Sequence, residues 1–406
     1  MTEVVLRADN RHALVAQVDN VGKTQADFQS DVCSWAKALA AQPGQRWALF
    51  TDDAYEFATA LLGAWQADKI LVLPGDSQAG TLSRLCGTVD GFIGSLPGAL
   101  RPRNATQSMD WVLRRLDLKN HRLVVYTSGS TGEPLLIEKT LGQLEAEVYT
   151  LEATFGALLR ETGLRIHATV SHQHIYGLLF LVLWPLASGR TICSRRIDYP
   201  ETMLASLTDG PCALVTSPAH LRRLPVHLDW APARRNLRAL FSSGGPLPAD
   251  ASQEAWRLLG QSPVEVYGSS ETGGIGWRQR AYHGDRWTPF AGVDIDIVDG
   301  LLEVCSPNLA DDKPWLTSDL AALHADGCFE LKGRTDRIVK IEEKRVSLSA
   351  IERSLMTCPE VAEARALVIR ESDRLRLAVV VVLTPVGRAL LVSEGKRGFT
   401  ELLRRT

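Results

Sequence analysis

The 406-residue chain lacks any run of about 18 apolar residues, and its first residues lack the apolar core of a signal peptide. We therefore expect no membrane span and a cytoplasmic protein. The seven cysteines are scattered, with neither a Cys-x-x-Cys pair nor a metal-like Cys/His spacing, so they are expected to be reduced thiols. The formal net charge of −2 gives no electrostatic reason to expect nucleic acid as a partner.

What remains is an ordinary globular composition, with 45% hydrophobic and 23% charged residues. A chain of this length is too long for one simple core, which predicts at least two domains. Short strand signals at Arg46–Phe50, Ile70–Leu73 and Gly91–Gly94 alternate with a helical pattern over Asp53–Trp65. This alternation predicts an α/β fold with a parallel sheet covered by helices.

The common phosphate-binding loop, Gly-x-x-x-x-Gly-Lys-Ser/Thr, is missing, but Tyr126–Pro134 is another stretch rich in glycine and hydroxyl residues. It follows a short apolar strand at Arg122–Val125 and precedes a helical pattern over Leu141–Leu159. Its central residues are Thr127, Ser128, Gly129, Ser130, Thr131 and Gly132. A bent turn with many N–H and O–H donors suits phosphate oxygens, so this stretch predicts a phosphate cradle rather than a linker.

Four further predicted strands, at 165–170, 212–216, 237–241 and 264–266, end in loops of small or polar residues. Open α/β sheets bind their ligands at such strand ends. The loops supply the candidates His174, Tyr176, Gly177, Ser243, Gly244, Gly245, Tyr267, Gly268, Ser269, Ser270, Glu271 and Gly273. A structural hydrogen-bonding role for His174 is an equal alternative, and His172 is the weaker functional candidate.

Glu271 lies among small residues just after a predicted strand. A carboxylate in such a loop suits Mg²⁺, a hard cation that prefers oxygen ligands and often bridges substrate phosphates. The alternative is an acid at a helix N-terminus, where the helix dipole favours negative charge. From Glu271 and its neighbours alone, the magnesium ligand and the helix N-terminal acid are equally good interpretations.

The order of these stretches, continued by WLTSDL at 315–320 and GRTDR at 333–337, resembles that of the adenylate-forming enzymes. These comprise acyl-CoA synthetases, peptide-synthetase adenylation domains and luciferases, and the similarity extends to about residue 352. It implies a large adenylation core at 1–335, with stacked, mostly parallel sheets, helices and a small β-containing subdomain. It also implies a hinge at Asp336 and a small, mobile α+β domain at 336–406.

The same resemblance implies that the protein binds ATP and Mg²⁺. The phosphate loop and residues 267–270 would contact the nucleotide, with Tyr267 against adenine. Residues 243–245 would lie between adenine and the acid pocket. The two ribose contacts would be Asp319 and Arg334. The simpler interpretation of Asp319 is a turn residue, and that of Arg334 is part of a solvated charged surface.

The resemblance further implies which residues meet the metal and the acid. Glu271 would hold Mg²⁺, and the catalytic residues would be Thr131, Glu271 and Arg334. The acid pocket would contain His174, Tyr176, Gly177, Ser243, Gly244, Gly268 and Gly273.

Three positions depart from the family pattern. Leu135 stands where lysine is frequent, with Lys139 as a nearby substitute, and Ser318 stands where glycine is usual. Glu343 replaces a glycine that borders the thiol tunnel in the family's second conformation. This last substitution makes free CoA a doubtful acceptor.

The implied function is ATP-dependent activation of a carboxylic acid as an acyl-adenylate, followed by transfer to the phosphopantetheine thiol of an acyl carrier protein. The short N-terminal part and the sequence motif at residues 343–348 are most similar to those of AMP-ligases of aryl-polyene and xanthomonadin-type pigment pathways. That similarity implies a hydroxybenzoate-like aromatic acid. One alternative is an aryl- or acyl-CoA ligase that uses free CoA. Another is a non-enzymatic relic that binds a nucleotide or an acid.

The family's adenylation step uses a lysine near the C-terminus, usually in a Gly-Lys pair. Gly395 and Lys396 form such a pair, but they precede a helical pattern at Phe399–Leu403 that comes before the lysine in the family. We therefore expect Lys396 to be dispensable and the C-terminal domain to be incomplete, without the catalytic lysine.

Overall fold

The computed structural model describes residues 6, 11–101, 111–128, 134–311, 313–341, 344–371 and 374–405. The chain forms two compact units, the first comprising residues 1–294 with 304–315 and the second comprising 295–303 with 316–406. Asp336 lies in a short 3₁₀ turn, Thr335–Arg337. The domain boundary and hinge expected at this residue stay predictions.

Helices and strands alternate through most of the first unit. The α-helices are α1 Gln25–Ala40, α2 Ala54–Gln66, α3 Ala79–Leu85, α4 Leu141–Phe155, α5 Ile175–Gly177, α6 Trp184–Ser188, α7 Pro200–Leu207, α8 Pro218–Leu221, α9 Ala231–Asn236, α10 Ala249–Leu259, α11 Arg280–His283, α12 Leu348–Met356 and α13 Pro385–Arg405. A 3₁₀ turn at Gly156–Leu159 follows α4, and a π-helical segment at Leu178–Leu183 joins α5 to α6.

The strands are β1 Leu14–Val18, β2 Val21–Thr24, β3 Arg46–Phe50, β4 Ile70–Leu73, β5 Gly91–Gly94, β6 Arg122–Ser128, β7 Pro134–Thr140, β8 Arg165–Ala168, β9 Thr191–Cys193, β10 Cys212–Thr216, β11 Leu237–Ser242, β12 Val264–Ser269, β13 Gly273–Arg278, β14 Thr288–Pro289, β15 Asp294–Val298, β16 Leu301–Cys305, β17 Trp315–Leu323, β18 Phe329–Arg334, β19 Ile338–Ile341, β20 Lys344–Ser347, β21 Val361–Glu371 and β22 Arg374–Leu383.

Two mixed sheets organise the described part of the first unit. One has the order β5-β3-β4-β6-β7, with β3, β4, β5 and β6 parallel and β7 antiparallel to β6. The other has the order β14-β13-β12-β11-β10-β8-β9-β1-β2, with a parallel centre from β12 to β1 and antiparallel strands at both edges. The predicted α/β class, with its large core of mostly parallel sheets and its small C-terminal domain, is confirmed.

Helix α2 contacts β3, β4 and β5 of one sheet and β9 of the other. Every residue of α2 except Glu56 is buried, as expected for a helix that is apolar on nearly all sides. Its start is fixed by Asp53, whose carboxylate accepts the N–H groups of Tyr55 and Glu56 at 2.9 Å. The parallel strands of both sheets are therefore covered by helices, and their carboxyl ends are left free to carry loops.

The second unit contains the longest strands of the described residues, β17, β21 and β22. Strands β15, β16, β17 and β18 are neighbours in one sheet, and β19–β20 and β21–β22 are antiparallel hairpins. Asp299 and Gly300 join β15 to β16, and their φ values of 52° and 81° are those that a two-residue hairpin turn requires. Helix α13 is interrupted at Gly395, where φ is 69° and ψ is 171°.

Between the predicted phosphate loop and the predicted helix lies a strand that the sequence analysis did not identify. Strand β7 comes first and pairs along its whole length with β6, so the loop joins the two strands of a hairpin. Helix α4 begins only after Thr140, whose hydroxyl and backbone N–H form a capping box with Gln143. This helix ends at Phe155, four residues before the predicted end at Leu159, where the chain tightens into the 3₁₀ turn.

Two buried histidines predict a loss of stability in acid. Nε2 of His172 lies 2.9 Å from the carbonyl oxygen of Thr51. The His172 ring packs against the Phe57 ring, with 4.6 Å between the ring centres. Burial lowers the pKa of His172, and likewise that of His167 in β8, to about 4. An unfolded histidine has a pKa near 6.5. Stability is therefore fully present above this value and is lost as the pH falls towards 4.

We expect each histidine to cost on the order of 2 kcal/mol of stability at pH 5, because an unfolded histidine is then protonated and the buried one is not. Thermal unfolding at pH 7.5 and 5.0 measures the effect as a lower melting temperature in acid. The variant His172→Gln should show a smaller shift between the two pH values. An equal shift in the variant and the parent protein would contradict this assignment.

Candidate functional site

A cavity of about 250 Å³ lies in the first unit, where the loops after β8, β11 and β12 meet. Eight of the predicted site residues line it, namely His174, Tyr176, Ser243, Gly244, Gly268, Ser269, Ser270 and Gly273. The structure thus brings together most of the residues assigned above to the acid pocket. Their individual roles stay predictions.

The other predicted pocket and nucleotide residues in this unit lie beside the cavity rather than on its wall. Gly177 is buried against the main chain, and a Cβ there would lie 2.1 Å from the carbonyl oxygen of Ser171. Tyr267 packs its ring on Trp287, with 5.5 Å between the ring centres. Gly245 is exposed in the loop after β11.

The remaining predicted residues fall in two places. Thr127 and Ser128 end β6, while Gly129, Ser130, Thr131 and Gly132 lie outside the described residues. In the second unit, Asp319 of β17 and Arg334 of β18 are directly paired across the sheet, and Nη1 of the arginine lies 3.4 Å from the carboxylate. These two residues are therefore neighbours, as a shared ribose contact requires.

The loop after β11 is tied to β12 by Ser243, whose hydroxyl donates to the carbonyl oxygen of Val266 at 2.8 Å. A Cβ on Gly245 would meet no protein atom within 4 Å, so packing within the described chain does not demand glycine there. A flat ligand lying against this backbone would demand it. The position of this loop between adenine and the acid stays a prediction.

Glu271 lies in the tight turn between β12 and β13. The turn is held by Ser269 and Thr272, each of which accepts the other's backbone N–H on its hydroxyl at 3.2 Å. A single half-buried carboxylate on a fixed turn fits Mg²⁺, which commonly takes one or two carboxylates and completes its shell with water and phosphate oxygens. The described residues contain no cluster of three or more His, Cys, Asp or Glu side chains suited to a metal.

Lys139 of β7 is hydrogen-bonded to the turn that carries Glu271. It is 1% exposed, and its Nζ donates to the carbonyl oxygens of Glu271 at 3.1 Å and of Asn308 at 2.9 Å. Considered above as a substitute for the missing lysine at 135, it binds main-chain carbonyls instead. Burial lowers the pKa of Lys139, and the negative charges of Glu147 and Glu271 partly oppose this.

Glu147 projects from α4 to the cavity and is 4% exposed. Its Oε2 accepts the backbone N–H of Gly274 at 3.1 Å. Burial raises the pKa of Glu147, an effect that the Lys139 cation and the Gly274 hydrogen bond partly offset. The adjacent Gly273 has a φ of +69°, and a Cβ there would lie 2.8 Å from Cδ of Glu147, so this position requires glycine.

His174 begins the helical segment whose Tyr176 and Phe180 also face the cavity. A Cβ on Gly75 would lie 3.1 Å from Cε1 of His174 and 3.7 Å from the carbonyl oxygen of Tyr126. The histidine therefore lies between the end of β4 and the strand that leads into the predicted phosphate loop. His172, the weaker candidate, is a buried structural residue.

Sequence reasoning missed Glu147, Asn308 and the anchoring role of Lys139. A signal for the first was available, because Glu147 lies three residues after Leu144 and four before Leu151 on the apolar face of α4. An acid on a buried helix face needs a partner or a function. No comparable local signal marks Asn308, which lies in an irregular loop.

In the part of the chain that the structure describes, no helix has the length and apolar character needed to cross a bilayer.

Comparison with known proteins identifies the family of this chain. A model of the family described as AMP-binding enzymes matches residues 101–309, which are 209 of the 406 residues. The chain is 29% identical over 279 residues to a 4-coumarate–CoA ligase of Rhodobacter capsulatus, covering 67% of this chain and 68% of the ligase. It is 27% identical over 300 residues to an acetyl-coenzyme A synthetase of Xanthomonas axonopodis pv. citri, but spans only 45% of that protein.

Solved structures agree on the fold. ATP-bound MatB from Rhodopseudomonas palustris superimposes with a TM-score of 0.76 and 20% identity, covering 94% of this chain and 89% of that one. The anthranilate CoA ligase AuaEII in complex with anthranoyl-AMP superimposes with a TM-score of 0.74 and 16% sequence identity. The match covers 98% of this chain and 90% of that one. The resemblance to adenylate-forming enzymes is thereby confirmed at the level of the superfamily. Since the family model covers more than half of its residues, this chain belongs to the family of AMP-binding enzymes.

Proposed function

We propose that this protein activates a compact aromatic carboxylic acid with ATP, forming an acyl-adenylate and pyrophosphate. The observation that carries the proposal is the cavity at the strand ends. It combines apolar walls with the loops after β8, β11 and β12 and adjoins the turn that holds Glu271. Membership of the AMP-binding enzyme family supports the same chemistry.

In the proposed reaction, a carboxylate oxygen of the acid attacks the α-phosphorus of ATP, and the bond between this phosphorus and the pyrophosphate oxygen breaks. Both reactants are anions, so positioning and charge neutralisation matter more than a strong base. Glu271 would hold Mg²⁺, which supplies that neutralisation when bound. Thr131 in the phosphate loop, and Asp319 and Arg334 at the ribose, keep their predicted roles.

The cavity supports a compact acid. Its volume of about 250 Å³ lies below the roughly 300–1,000 Å³ typical of ligand pockets. Leu151, Leu179, Phe180 and Phe290 supply flat and aliphatic walls suited to a ring. The relative named as a 4-coumarate–CoA ligase and the neighbour bound to anthranoyl-AMP are consistent with an aromatic acid. An AMP-ligase of an aryl-polyene or xanthomonadin-type pathway is the specific role we propose.

For the second step we propose that the phosphopantetheine thiol of an acyl carrier protein attacks the acyl carbonyl carbon and AMP leaves. Free CoA is the second candidate, supported by relatives whose names are those of CoA ligases and synthetases. Thioester formation from one acid, with either a phosphopantetheinylated carrier protein or CoA as acceptor, distinguishes the two. A higher rate with CoA would reject the carrier-protein proposal.

Acid-dependent ATP–pyrophosphate exchange tests the first step. We expect exchange with benzoates and hydroxybenzoates, and little with long-chain fatty acids, because the cavity is too small for an extended chain. The reaction should stop without Mg²⁺. Absence of exchange with every acid in the panel would reject the proposed function, and faster exchange with long-chain fatty acids would reject the proposed substrate class.

A further inference from the structure

One end of the cavity holds a buried carboxyl oxygen without a partner. Oε2 of Glu147 is bound by the N–H of Gly274, but Oε1 has no hydrogen-bond partner among the described residues. Leaving a buried acceptor unsatisfied costs about 1–3 kcal/mol, and more for a charged group. A group from outside the chain is therefore expected to meet this oxygen.

A second unpaired oxygen lies at the same end. Asn308 is 2% exposed and lines the cavity. Its Nδ2 donates to the carbonyl oxygen of Gly274 at 3.4 Å, while Oδ1 lacks a partner in the described structure. A Cβ built on Gly273 would lie 2.9 Å from Oε1 of Glu147 and 2.7 Å from Cβ of Asn308. The two side chains therefore flank this glycine, and both residues line the same cavity.

The identity of the missing partner follows from the charges around it. Lys139 already supplies a cation near Glu147, so a second cation is disfavoured. Burial raises the pKa of Glu147, so its carboxyl takes up a proton more readily than an exposed one. A hydroxyl group both donates and accepts, so it can accept a hydrogen bond from the protonated Glu147 carboxyl while it donates its single proton to Oδ1 of Asn308. An amine donates well but accepts poorly, and a second carboxylate would be repelled.

We infer that Glu147 and Asn308 are specificity-determining residues that together hydrogen-bond a ring hydroxyl of the acid substrate. The inference rests on the proposed function and narrows its substrate class to hydroxylated aromatic acids. An acid without the hydroxyl leaves both buried oxygens unpaired, so the cavity rejects it. The apolar walls hold the ring equally well in both cases, and the discrimination therefore comes from this polar end.

The test compares kcat/KM for ATP–pyrophosphate exchange with 3- and 4-hydroxybenzoate, the matching aminobenzoates, and benzoate. We expect the better hydroxybenzoate to exceed benzoate by about tenfold or more, and to exceed the aminobenzoate of the same position. Glu147→Leu and Asn308→Leu should each reduce the ratio of hydroxybenzoate to benzoate towards one, whatever the absolute rate that each variant shows with benzoate. Glu147→Gln keeps the shape of the side chain and should give an intermediate ratio.

Thr150→Val is the matched control, because Thr150 also lines the cavity but is not a buried, unpaired acceptor. It should leave the ratio unchanged. A folded Glu147→Leu variant with the parental ratio would overturn the assignment, and so would a parent protein that does not distinguish hydroxybenzoate from benzoate. The parental comparison decides the matter even where a variant fails to fold. Failure of the proposed function is a different result, since then no acid supports exchange at all.

Discussion

Glu271→Gln is expected to lower ATP–pyrophosphate exchange by about 100-fold or more, while the protein remains folded. The carboxylate would hold Mg²⁺ against the phosphates, and loss of one charge-stabilising group at a reacting centre commonly costs this much. The side chain is half-buried in a turn that Ser269 and Thr272 hold through their own hydroxyls. Glutamine keeps its shape, so the turn itself is retained. Exchange at saturating ATP and thermal unfolding measure the two effects separately.

A weakened metal site should also raise the Mg²⁺ concentration needed for half-maximal exchange in the variant. Glu254→Gln is the matched control, because Glu254 is a partly exposed carboxylate on α10 that pairs with Arg257. It should alter neither exchange nor the Mg²⁺ requirement. Parental exchange in a folded Glu271→Gln protein would show that this acid is only a turn residue.

Lys139→Met is expected to reduce both stability and exchange. The substitution removes the donor to the carbonyl oxygens of Glu271 and Asn308 and leaves Glu147 buried without its cation. Leaving a buried polar group without its hydrogen-bond partner costs about 1–3 kcal/mol. A small displacement of the turn that carries Glu271 should lower exchange by about 10- to 100-fold. Thermal unfolding and exchange with benzoate measure the two losses.

The double variant Lys139→Met/Glu147→Leu separates these two effects. Removing both side chains leaves no buried charge at either position without its counter-charge, so the double variant should regain part of the lost stability. Exchange with benzoate should stay low, because the two carbonyl oxygens still lack their donor. Recovery of both properties would mean that Lys139 serves only to neutralise Glu147.

The strands before the candidate site were predictable because their signals are local. The short apolar runs at 212–216 and 237–241 end in small or polar residues, and the structure has strands there with loops at their carboxyl ends. The hairpin at Asp299-Gly300 follows from two residues that tolerate positive φ. Strand β7 was missed because its segment gives no clear alternation, and only the exposed edge of β6 made it a strand.

The order of the motifs along the chain determined the family, because each motif is a short, contiguous stretch that can be recognised without knowing its neighbours in space. The tertiary structure decided which side chains became partners. It placed Lys139 against the carbonyl oxygens of Glu271 and Asn308, which lie 132 and 169 positions further along the chain. It also brought Glu147 beside Gly273 and Asn308. Burial shifts the pKa values of Lys139 and Glu147 and leaves two acceptors unpaired. These effects depend on how distant segments exclude water together, which no local pattern of residues specifies.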